Sequence, residues 1–189
     1  MEQTEAAAVD RARAGDGDAF RVLVERHSRS VYRLAFRLTG NEQDAEDVVQ
    51  ETFLRAFKQL DRYDGRAAFH TWVYRIAANY ALDLLRSRKR VEQPREDDQA
   101  TVFDQLRATG PAADRLVYAD QVKRKLREAM DELSEQERAA FVLRHFEGLS
   151  IEEIGGTLGV GESATKNSIF RAVRKLRRSL EPLVMGAAK

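Results

Sequence analysis

Cysteine is absent from this 189-residue chain. Disulfides and thiolate metal sites are therefore excluded, and a reducing interior is favoured. Histidine is nearly as rare, and His27, His70 and His145 lie too far apart in sequence to form a pair of metal ligands. There is no nucleophile elbow, and GGTLGVG lacks the lysine of a phosphate-binding loop. We predict no metal, no cofactor and no enzymatic activity.

Long apolar runs are also missing. No segment approaches the about 20 apolar residues that span a bilayer, and the N-terminal sequence MEQTEAAAVDRARAGDGD is too polar for a signal peptide. We expect a cytoplasmic protein with no membrane insertion of its own. The formal net charge is only +1, so any affinity for nucleic acid must come from local basic patches.

Strand-like alternation and proline are both scarce, which favours helices throughout. Helical periods run on either side of a polar stretch that Pro94 and Pro111 bracket. The predicted fold class is therefore all-α, with two small helical domains over residues 1–93 and 115–189. A flexible linker over residues 94–114 joins them, because a polar stretch of that length is unusual inside a compact domain.

Two helices are predicted early in the N-terminal domain. Asp16 or Asp18 caps the first, Gly40 ends it, and Asn41 caps the second. Each helix carries apolar residues at helical spacing. The predicted inward-facing residues are Phe20, Leu23, Val24, Val31, Leu34, Ala35 and Leu38 in the first, and Ala45, Val48, Val49, Phe53, Ala56, Phe57 and Leu60 in the second.

The outer face of the second helix is acidic. Stabilisation of the helix dipole explains the acids of its first turn, Glu42 and Asp44. Asp47 and Glu51 lie more than a turn further in, so the face indicates a basic partner surface. A solvated acidic face is the competing interpretation.

A third helix mixes aromatic and basic residues in the sequence AFHTWVYRIAANYALDLLRSRKR. Rings interleaved with cations suit a single-stranded nucleic acid, since bases stack on rings while cations track the phosphates. We expect Phe69 and Trp72 to belong mainly to the core, whereas exposure and burial are equally expected for Tyr74. The basic residues at the end of the helix also favour the helix dipole.

The most informative stretch is SIEEIGGTLGVGESATKNSIFRAVRKLRR, residues 150–178. Ser150 and Glu153 form a capping box at the start of a short helix, which Gly159 ends. The helix that follows has no acid over residues 163–180. This pattern predicts a helix-turn-helix whose second helix enters a DNA major groove. The alternative is an ordinary helix pair with a solvated basic face, although such a face normally mixes charges of both signs.

A second capping box, formed by Ser134 and Glu137, opens the preceding helix. The inward-facing residues predicted for that helix are Phe141, Val142, Leu143 and Phe146. The C-terminal domain is therefore expected to be a bundle of about four helices.

Three motifs stand in a characteristic order: the acidic helix DAEDVVQETFLRAF, the aromatic-basic helix FHTWVYRIAANYALDLLR, and the helix-turn-helix. Together they resemble bacterial sigma factors of the extracytoplasmic-function (ECF) type, over about residues 15–92 and 115–180. The resemblance implies a subunit that binds core RNA polymerase and promoter DNA. The DNA contacts are the duplex upstream (−35) element and the single-stranded non-template strand at the −10 element. It also implies an anti-sigma factor as a partner.

The resemblance assigns residues to each contact. Those expected to bind polymerase are Asp44, Glu46, Asp47, Gln50 and Glu51. Those expected to bind and melt the −10 element are Arg66, Tyr74, Arg75, Asn79, Arg86, Arg88, Lys89 and Arg90. Those expected on the recognition helix are Ser163, Thr165, Lys166, Asn167, Ser168, Phe170, Arg171, Arg174 and Lys175. Asp83 is expected to pair with a nearby arginine rather than with DNA.

The recognition helix departs from the family pattern. Ser168 stands where arginine is common, and Phe170 stands where histidine is common. Arginine reads guanine bidentately, whereas serine discriminates weakly between bases, so the family's upstream-element preference is not carried over. A free-standing helix-turn-helix regulator with an N-terminal sensing or dimerisation domain is the alternative function, although it has no need of the acidic helix.

Overall fold

The computed structural model describes residues 4–91, 122 and 124–186. The chain divides into two compact units, Met1–Asp98 and Gln99–Lys189. All regular structure in the described ranges is helical, which confirms the predicted all-α fold with two helical domains. The predicted linker, residues 94–114, lies outside the described residues.

Four α-helices build the described part of the N-terminal unit. They are α1 (Glu5–Arg13), α2 (Gly17–Thr39), α3 (Glu42–Gln59) and α4 (Phe69–Val91), with a 3-10 turn at Leu60–Arg62. The predicted caps are present, since Asp16 accepts the Ala19 N–H at 3.0 Å. Asn41 likewise accepts the Asp44 N–H at 2.9 Å. Gly40 ends α2 at φ +72°, in the left-handed region that glycine adopts readily.

Helices α2, α3 and α4 pack on one another around an apolar core. Its buried residues include Leu23, Val31, Leu34, Leu38, Ala45, Val48, Phe53, Ala56, Leu60, Phe69 and Val73. The structural role predicted for Phe69 is therefore confirmed. The prediction for Phe57 is wrong, because its side chain is 55% exposed at the edge of the helix pair. Its ring lies against Phe20, with ring centroids 5.0 Å apart.

Helix α1 is not predicted by the helical period. Its buried residues are Ala8, Val9 and Ala12, a stripe too short and too small to stand out among charged neighbours. It packs on α2, where Nε2 of His27 lies 3.0 Å from Oε2 of Glu5. Burial lowers the pKa of His27 in spite of the attraction of Glu5, so a neutral imidazole meets the carboxylate at neutral pH.

The described part of the C-terminal unit is a second helical bundle. Its helices are α5, described over residues 124–131, α6 (Glu135–His145), α7 (Ile151–Leu158) and α8 (Glu162–Gly186). Its core contains Leu133, Ala139, Ala140, Val142, Leu143, Ile154, Ala172 and Leu176. Phe146, predicted to face inward, is 49% exposed because it lies just beyond the last turn of α6.

Candidate functional surfaces

One face of α3 carries most of the acidic residues singled out by the sequence. Glu46, Asp47 and Gln50 are exposed there and Glu51 is partly exposed; we call these four residues the acidic surface. Nε of Arg55 donates to Oε1 of Glu51 at 2.6 Å, which offsets part of the charge of that carboxylate. An open groove of about 350 Å³ adjoins the surface and is lined by Ser28, Arg29, Tyr32, Glu46, Val49 and Gln50. The acidic surface is thus accessible to a basic partner.

Asp44 does not belong to the acidic surface, which corrects the sequence prediction. Its side chain is buried and pairs with the guanidinium of Arg88 near the end of α4. Asp44 precedes the buried Val48 by one helical turn, so both lie on the same side of α3. A carboxylate buried there requires a cation. Arg88 supplies that cation. Arg88, which the sequence predicts to bind DNA, is therefore ion-paired within the protein, although its side chain remains 42% exposed.

The loop between the 3-10 turn and α4 is held by its own hydrogen bonds. The Tyr63 hydroxyl donates to the Ala67 carbonyl at 2.7 Å. Oδ1 of Asp64 accepts the Arg66 N–H at 3.0 Å, across Gly65 at φ +74°. The Arg66 side chain is 90% exposed, with Nε 3.2 Å from Asp64. An ordered loop therefore presents a cation to solvent just before the aromatic-basic helix.

The exposed side of α4 carries further candidates. Arg75, Asn79 and Arg86 are all exposed. Nη1 of Arg86 donates to Oδ1 of Asp83 at 3.1 Å, so the predicted pairing of Asp83 with an arginine is present. The candidates whose side chains lie outside the described part are Lys89 and Arg90. Arg75, Asn79 and Arg86 therefore place polar and cationic side chains along one side of α4. Arg66 adds a cation in the loop that precedes the helix.

Tyr74 is buried, with 7% of its surface exposed, which corrects the prediction that it contacts DNA. It shares a side of α4 with Ala78 and Ala81, both fully buried, and so points into the bundle. Its ring packs edge-on against His70, with centroids 5.8 Å apart. The ring therefore supports the helix instead of offering a stacking platform.

Arg55 is a candidate functional residue that the sequence patterns do not identify. Besides its ion pair with Glu51, its guanidinium lies 4.7 Å from the ring centroid of Tyr80 on α4, within cation–π range. The side chain therefore links the acidic surface to the aromatic-basic helix. The i, i+4 spacing predicts the pair with Glu51, but the contact with Tyr80 depends on how two helices pack.

The helix-turn-helix has the caps that the sequence predicts. The Ser150 N–H donates to the Glu153 carboxylate at 2.8 Å, and the Glu153 N–H donates to the Ser150 hydroxyl at 3.1 Å. Gly159 ends α7 at φ +67°. Gly155 lies so close to the turn that a Cβ atom there would come within 2.8 Å of the Val160 carbonyl oxygen. The two helices therefore approach each other through a position that has room only for glycine.

Helix α8 has a buried side and an exposed side. Ala172 and Leu176 mark the buried side. The predicted DNA-binding residues that are exposed are Ser163, Lys166, Asn167, Phe170, Arg171 and Arg174. Lys166 pairs with Glu162 at 3.1 Å, whereas Arg171 and Arg174 have no acidic partner among the described residues. The exposed side is therefore cationic and includes one large aromatic ring.

Other residues predicted to bind DNA from α8 are engaged inside the unit. Thr165 is fully buried and its hydroxyl donates to the Gly161 carbonyl at 3.1 Å, which corrects its prediction. Nζ of Lys175 lies 2.6 Å from the Glu137 carboxylate, so its charge is largely compensated within the unit, and its contact with DNA stays a prediction. Ser168 is partly buried at the margin of the exposed side. The helical period explains the burial of all three residues, because each lies away from the exposed side of α8.

Glu137 closes the second capping box and also binds Lys175. Its carboxylate accepts the Ser134 N–H at 2.9 Å and is 9% exposed. Burial opposes its ionisation, but the hydrogen bonds from Lys175 and Ser134 outweigh that cost and hold the pKa of Glu137 below its ordinary value of 4.5. One carboxylate thus joins the start of α6 to α8.

We expect acid to remove this contribution of Glu137 to stability. A depressed folded-state pKa means that the unfolded chain binds the proton more tightly, so the contribution is present above pH 4.5 and is lost as the pH falls through the folded value. Urea unfolding at several pH values measures it: Glu137→Gln should be less stable at neutral pH and less sensitive to acid than the wild type. Equal acid sensitivity of the two chains would contradict the assignment. Glu152→Gln, which removes an exposed acid from α7, is the matched control.

Across residues 4–91, 122 and 124–186, no group of three or more histidine, cysteine or acidic side chains is arranged to hold a metal ion. No helix within these same ranges combines the length and the apolar character needed to cross a membrane.

Both units match known sequence families. Sigma-70 region 2 matches residues 23–91, which include α3 and α4. Sigma-70 region 4 matches residues 123–176, which include α6, α7 and the first 15 residues of α8. The acidic surface therefore lies in region 2, and the cationic side of α8 lies in region 4.

Individual relatives agree with these matches. The ECF RNA polymerase sigma factor SigW from Bacillus subtilis is 30% identical over 179 residues, which are 93% of this chain and 96% of that protein. The ECF RNA polymerase sigma factor SigE from Mycolicibacterium smegmatis is 39% identical over 155 residues, or 82% of this chain, and the match spans 59% of SigE. The solved structure of CnrH in complex with the cytosolic domain of CnrY has a TM-score of 0.66 at 27% identity, covering 93% of this chain and 96% of CnrH. The chain belongs to the family of ECF RNA polymerase sigma factors.

Proposed function

We propose that this chain joins core RNA polymerase, directs it to specific promoters and assists strand opening. The observation that carries the proposal is the occurrence in one chain of an exposed acidic surface in region 2 and a cationic recognition helix in region 4. A free-standing regulator requires the second feature but not the first. The proposal includes no catalytic chemistry of the chain's own, and its place of action is the cytoplasm, where polymerase and promoter DNA meet.

Glu46, Asp47, Gln50 and Glu51 dock on a basic surface of the polymerase. Exposed carboxylates on a rigid helix attract such a surface at long range and fix its register at contact. Asp44 supports this docking without contacting the polymerase, because its buried pair with Arg88 fixes the start of α3 against α4. Polymerase docking and the DNA-binding side of α4 are thereby built on one packed unit.

Arg66, Arg75, Asn79 and Arg86 receive the non-template strand at the −10 element. Their side chains are exposed, and cations follow a single strand through its phosphates. Extruding a base costs a few kcal/mol, which phosphate contacts offset. Since Tyr74 is buried, stacking by that ring has no part in this proposal.

Ser163, Lys166, Asn167, Phe170, Arg171 and Arg174 face the upstream element. The residues near the start of a recognition helix contact base edges, and cations further along the helix hold the phosphates. The exposed side of α8 has both kinds of residue. Thr165 and Lys175 hold the helix in place behind them.

An anti-sigma factor is the further partner proposed. The resemblance to ECF sigma factors implies it, and CnrH was solved with the cytosolic domain of a second protein, CnrY. Such a partner must cover the acidic surface or the DNA-binding residues in order to keep the chain inactive.

Run-off transcription with purified core RNA polymerase tests the proposed function. The full chain should produce promoter-dependent transcripts from some templates of a genome-wide set, and core alone should not. If a genome-wide set of templates yields no transcript that depends on the chain, the regulator alternative replaces the proposal.

Removing Arg171 or Arg174 should weaken DNA binding for every sequence. If each contacts one phosphate, Arg171→Ala and Arg174→Ala should each reduce the slope of log affinity against log salt by about one. Fluorescence anisotropy of the holoenzyme on promoter duplexes over a salt series measures the slope. Lys125→Gln is the matched control and should keep the wild-type slope, because Lys125 lies on α5, away from the recognition helix, and already pairs with Glu128 at 2.7 Å. An unchanged slope in both arginine variants would remove these side chains from the DNA interface.

A further inference from the structure

His27 is a buried ionisable residue that belongs neither to the acidic surface nor to the proposed DNA contacts. Only 8% of its surface is exposed, and it lies between α1 and α4. Nε2 of the ring is 3.0 Å from Oε2 of Glu5 on α1. The ring also packs against Phe69 of α4, with centroids 5.4 Å apart. His27 therefore provides a polar attachment for α1 on the core of the N-terminal unit.

Helix α1 is also connected to the loop that precedes α4. It contacts the 3-10 turn directly before that loop. The ring of Tyr63 packs edge-on against Phe69 at 5.6 Å between centroids, and its hydroxyl donates to the Ala67 carbonyl at 2.7 Å. Burial raises the pKa of Tyr63, and the charge of Glu5 adds to the effect, so that carboxylate acts on the phenol. Contacts therefore run from α1 to the loop that presents Arg66.

The docking of α1 has only a small apolar component. The helix is nine residues long, and a helix that short is marginal in water by itself. The side chains that it buries are Ala8, Val9 and Ala12, which remove little apolar surface from water. Helix α1 is therefore helical only while it is docked, and its docking is sensitive to a change at its polar contacts.

The groups that act on the charge of His27 come from three helices. They are Glu5 of α1, His70 of α4 and Arg26 of its own helix α2. Burial disfavours the imidazolium and outweighs the attraction of Glu5, so the pKa of His27 lies below its ordinary value of 6.5. Because the Glu5 carboxylate accepts the proton on Nε2, a further proton must go to Nδ1. That atom has no hydrogen-bond partner in the described part of the chain.

The sign of the pH dependence follows from this lowered pKa. When α1 is released, His27 is exposed to water and binds a proton more tightly than in the docked state. The contribution of His27 to docking is therefore present above pH 6.5 and is lost as the pH falls through the folded-state pKa.

We propose that His27 is a pH-responsive attachment of α1, and that its protonation releases the helix and loosens the loop that presents Arg66. The inference rests on the proposed function, in which that loop takes part in strand opening. Mild acid should therefore impair promoter opening by the holoenzyme. Binding to polymerase should persist, because the acidic surface lies on a different helix, α3.

Titration by NMR and amide hydrogen exchange of the full free chain test the release. The NMR titration gives the pKa of His27, and a value at or above 6.5 overturns the inference. Exchange of the α1 amides is compared at each pH with that of His27→Gln, whose side chain still donates to Glu5 but does not ionise. Relative to its value at neutral pH, the ratio of wild-type to variant exchange should rise in acid. The rise should be about tenfold for each unit by which the measured pKa lies below 6.5.

Glu5→Gln is a second variant that keeps the imidazole. It removes the charge that favours protonation, so the pKa of His27 should fall further and α1 should be released more completely in acid. An unchanged pKa would show that Glu5 does not act on His27. His145→Gln is the matched control, since it removes an exposed histidine from the other unit and should exchange in α1 as the wild type does.

Permanganate footprinting of the holoenzyme, on a promoter that it transcribes, tests the consequence for strand opening. Opening by the wild type should fall in acid more than opening by His27→Gln, with polymerase binding equal in both. Equal acid sensitivity of the two holoenzymes overturns the link to the loop, and equal exchange of α1 overturns the release itself. If the wild type supports no transcription at neutral pH, the proposed function fails while exchange still decides the release. If transcription is normal and the exchange ratio stays constant, only this inference fails.

Discussion

Reversing two acidic charges on α3, in the double variant Asp47→Arg and Glu51→Arg, is expected to abolish binding to core RNA polymerase. The acidic surface is proposed to face a basic partner, so each reversal replaces an attraction with a like-charge contact that costs several kcal/mol. The combined effect should weaken binding by about a thousandfold or more. The fold should survive, because Asp47 is exposed and Glu51 makes its described ion pair with Arg55 on the same helix.

Glu51→Arg has a second effect that the structure makes explicit. It places a positive charge one turn before Arg55, whose guanidinium lies over Tyr80 of α4. The single variants separate the two effects. Asp47→Arg should lose polymerase with no change in unfolding, whereas Glu51→Arg should also lower the stability of the N-terminal unit slightly.

Co-purification with core polymerase, together with circular dichroism of the free chain, measures this prediction. The control variant carries Asp18→Arg and Glu25→Arg, which change the net charge equally on the exposed side of α2, where both side chains are more than two-thirds exposed. It should bind polymerase as the wild type does. Retention of the α3 variant on polymerase at the wild-type level would show that the acidic surface is a solvated face and nothing more.

The parts of this fold that are local in sequence can be predicted from it. Asp16, Asn41, Ser134 and Ser150 each cap a helix within three residues of the group they bind, so their roles need no knowledge of the tertiary structure. The apolar period likewise identifies most of the core of both units. The short helix α1 escapes prediction because its buried residues are mainly alanine, which marks no stripe.

The sequence does not predict which side of its helix a polar residue near the core occupies. Asp44, Tyr74 and Thr165 have side chains of the right chemistry for a partner, yet each lies on the inner side of its helix. A shift of one residue turns a helical position by about 100°, so a polar residue next to a core position changes sides easily. Only the packing of α3 on α4, or of α7 on α8, determines that Asp44 pairs with Arg88 and that Thr165 faces Gly155.

The second large effect is expected at the helix-turn-helix, where Gly155→Ala should destabilise the C-terminal unit and impair promoter binding. The added Cβ atom would lie 2.8 Å from the carbonyl oxygen of Val160 and 3.3 Å from the hydroxyl of Thr165. The first neighbour is backbone in the turn itself, so it moves only if α7 and α8 separate. Overpacking of this kind costs about 1–3 kcal/mol, and it shifts the helix that carries every proposed base contact.

Gly156→Ala is the matched control, because the two glycines are adjacent in α7 and a Cβ atom at Gly156 meets nothing within 4 Å. Alanine favours a helix over glycine by up to about 1 kcal/mol, so this variant should be as stable as the wild type or more stable. Urea unfolding should therefore separate the two variants by about 1–4 kcal/mol, and only Gly155→Ala should lose affinity for promoter duplexes in the holoenzyme. Equal stability of the two variants would mean that the turn between α7 and α8 moves to accommodate the added Cβ atom. Loss of promoter affinity with unchanged stability would instead mean that α8 shifts while the core of the unit stays intact, which would assign the requirement for glycine to recognition and not to folding.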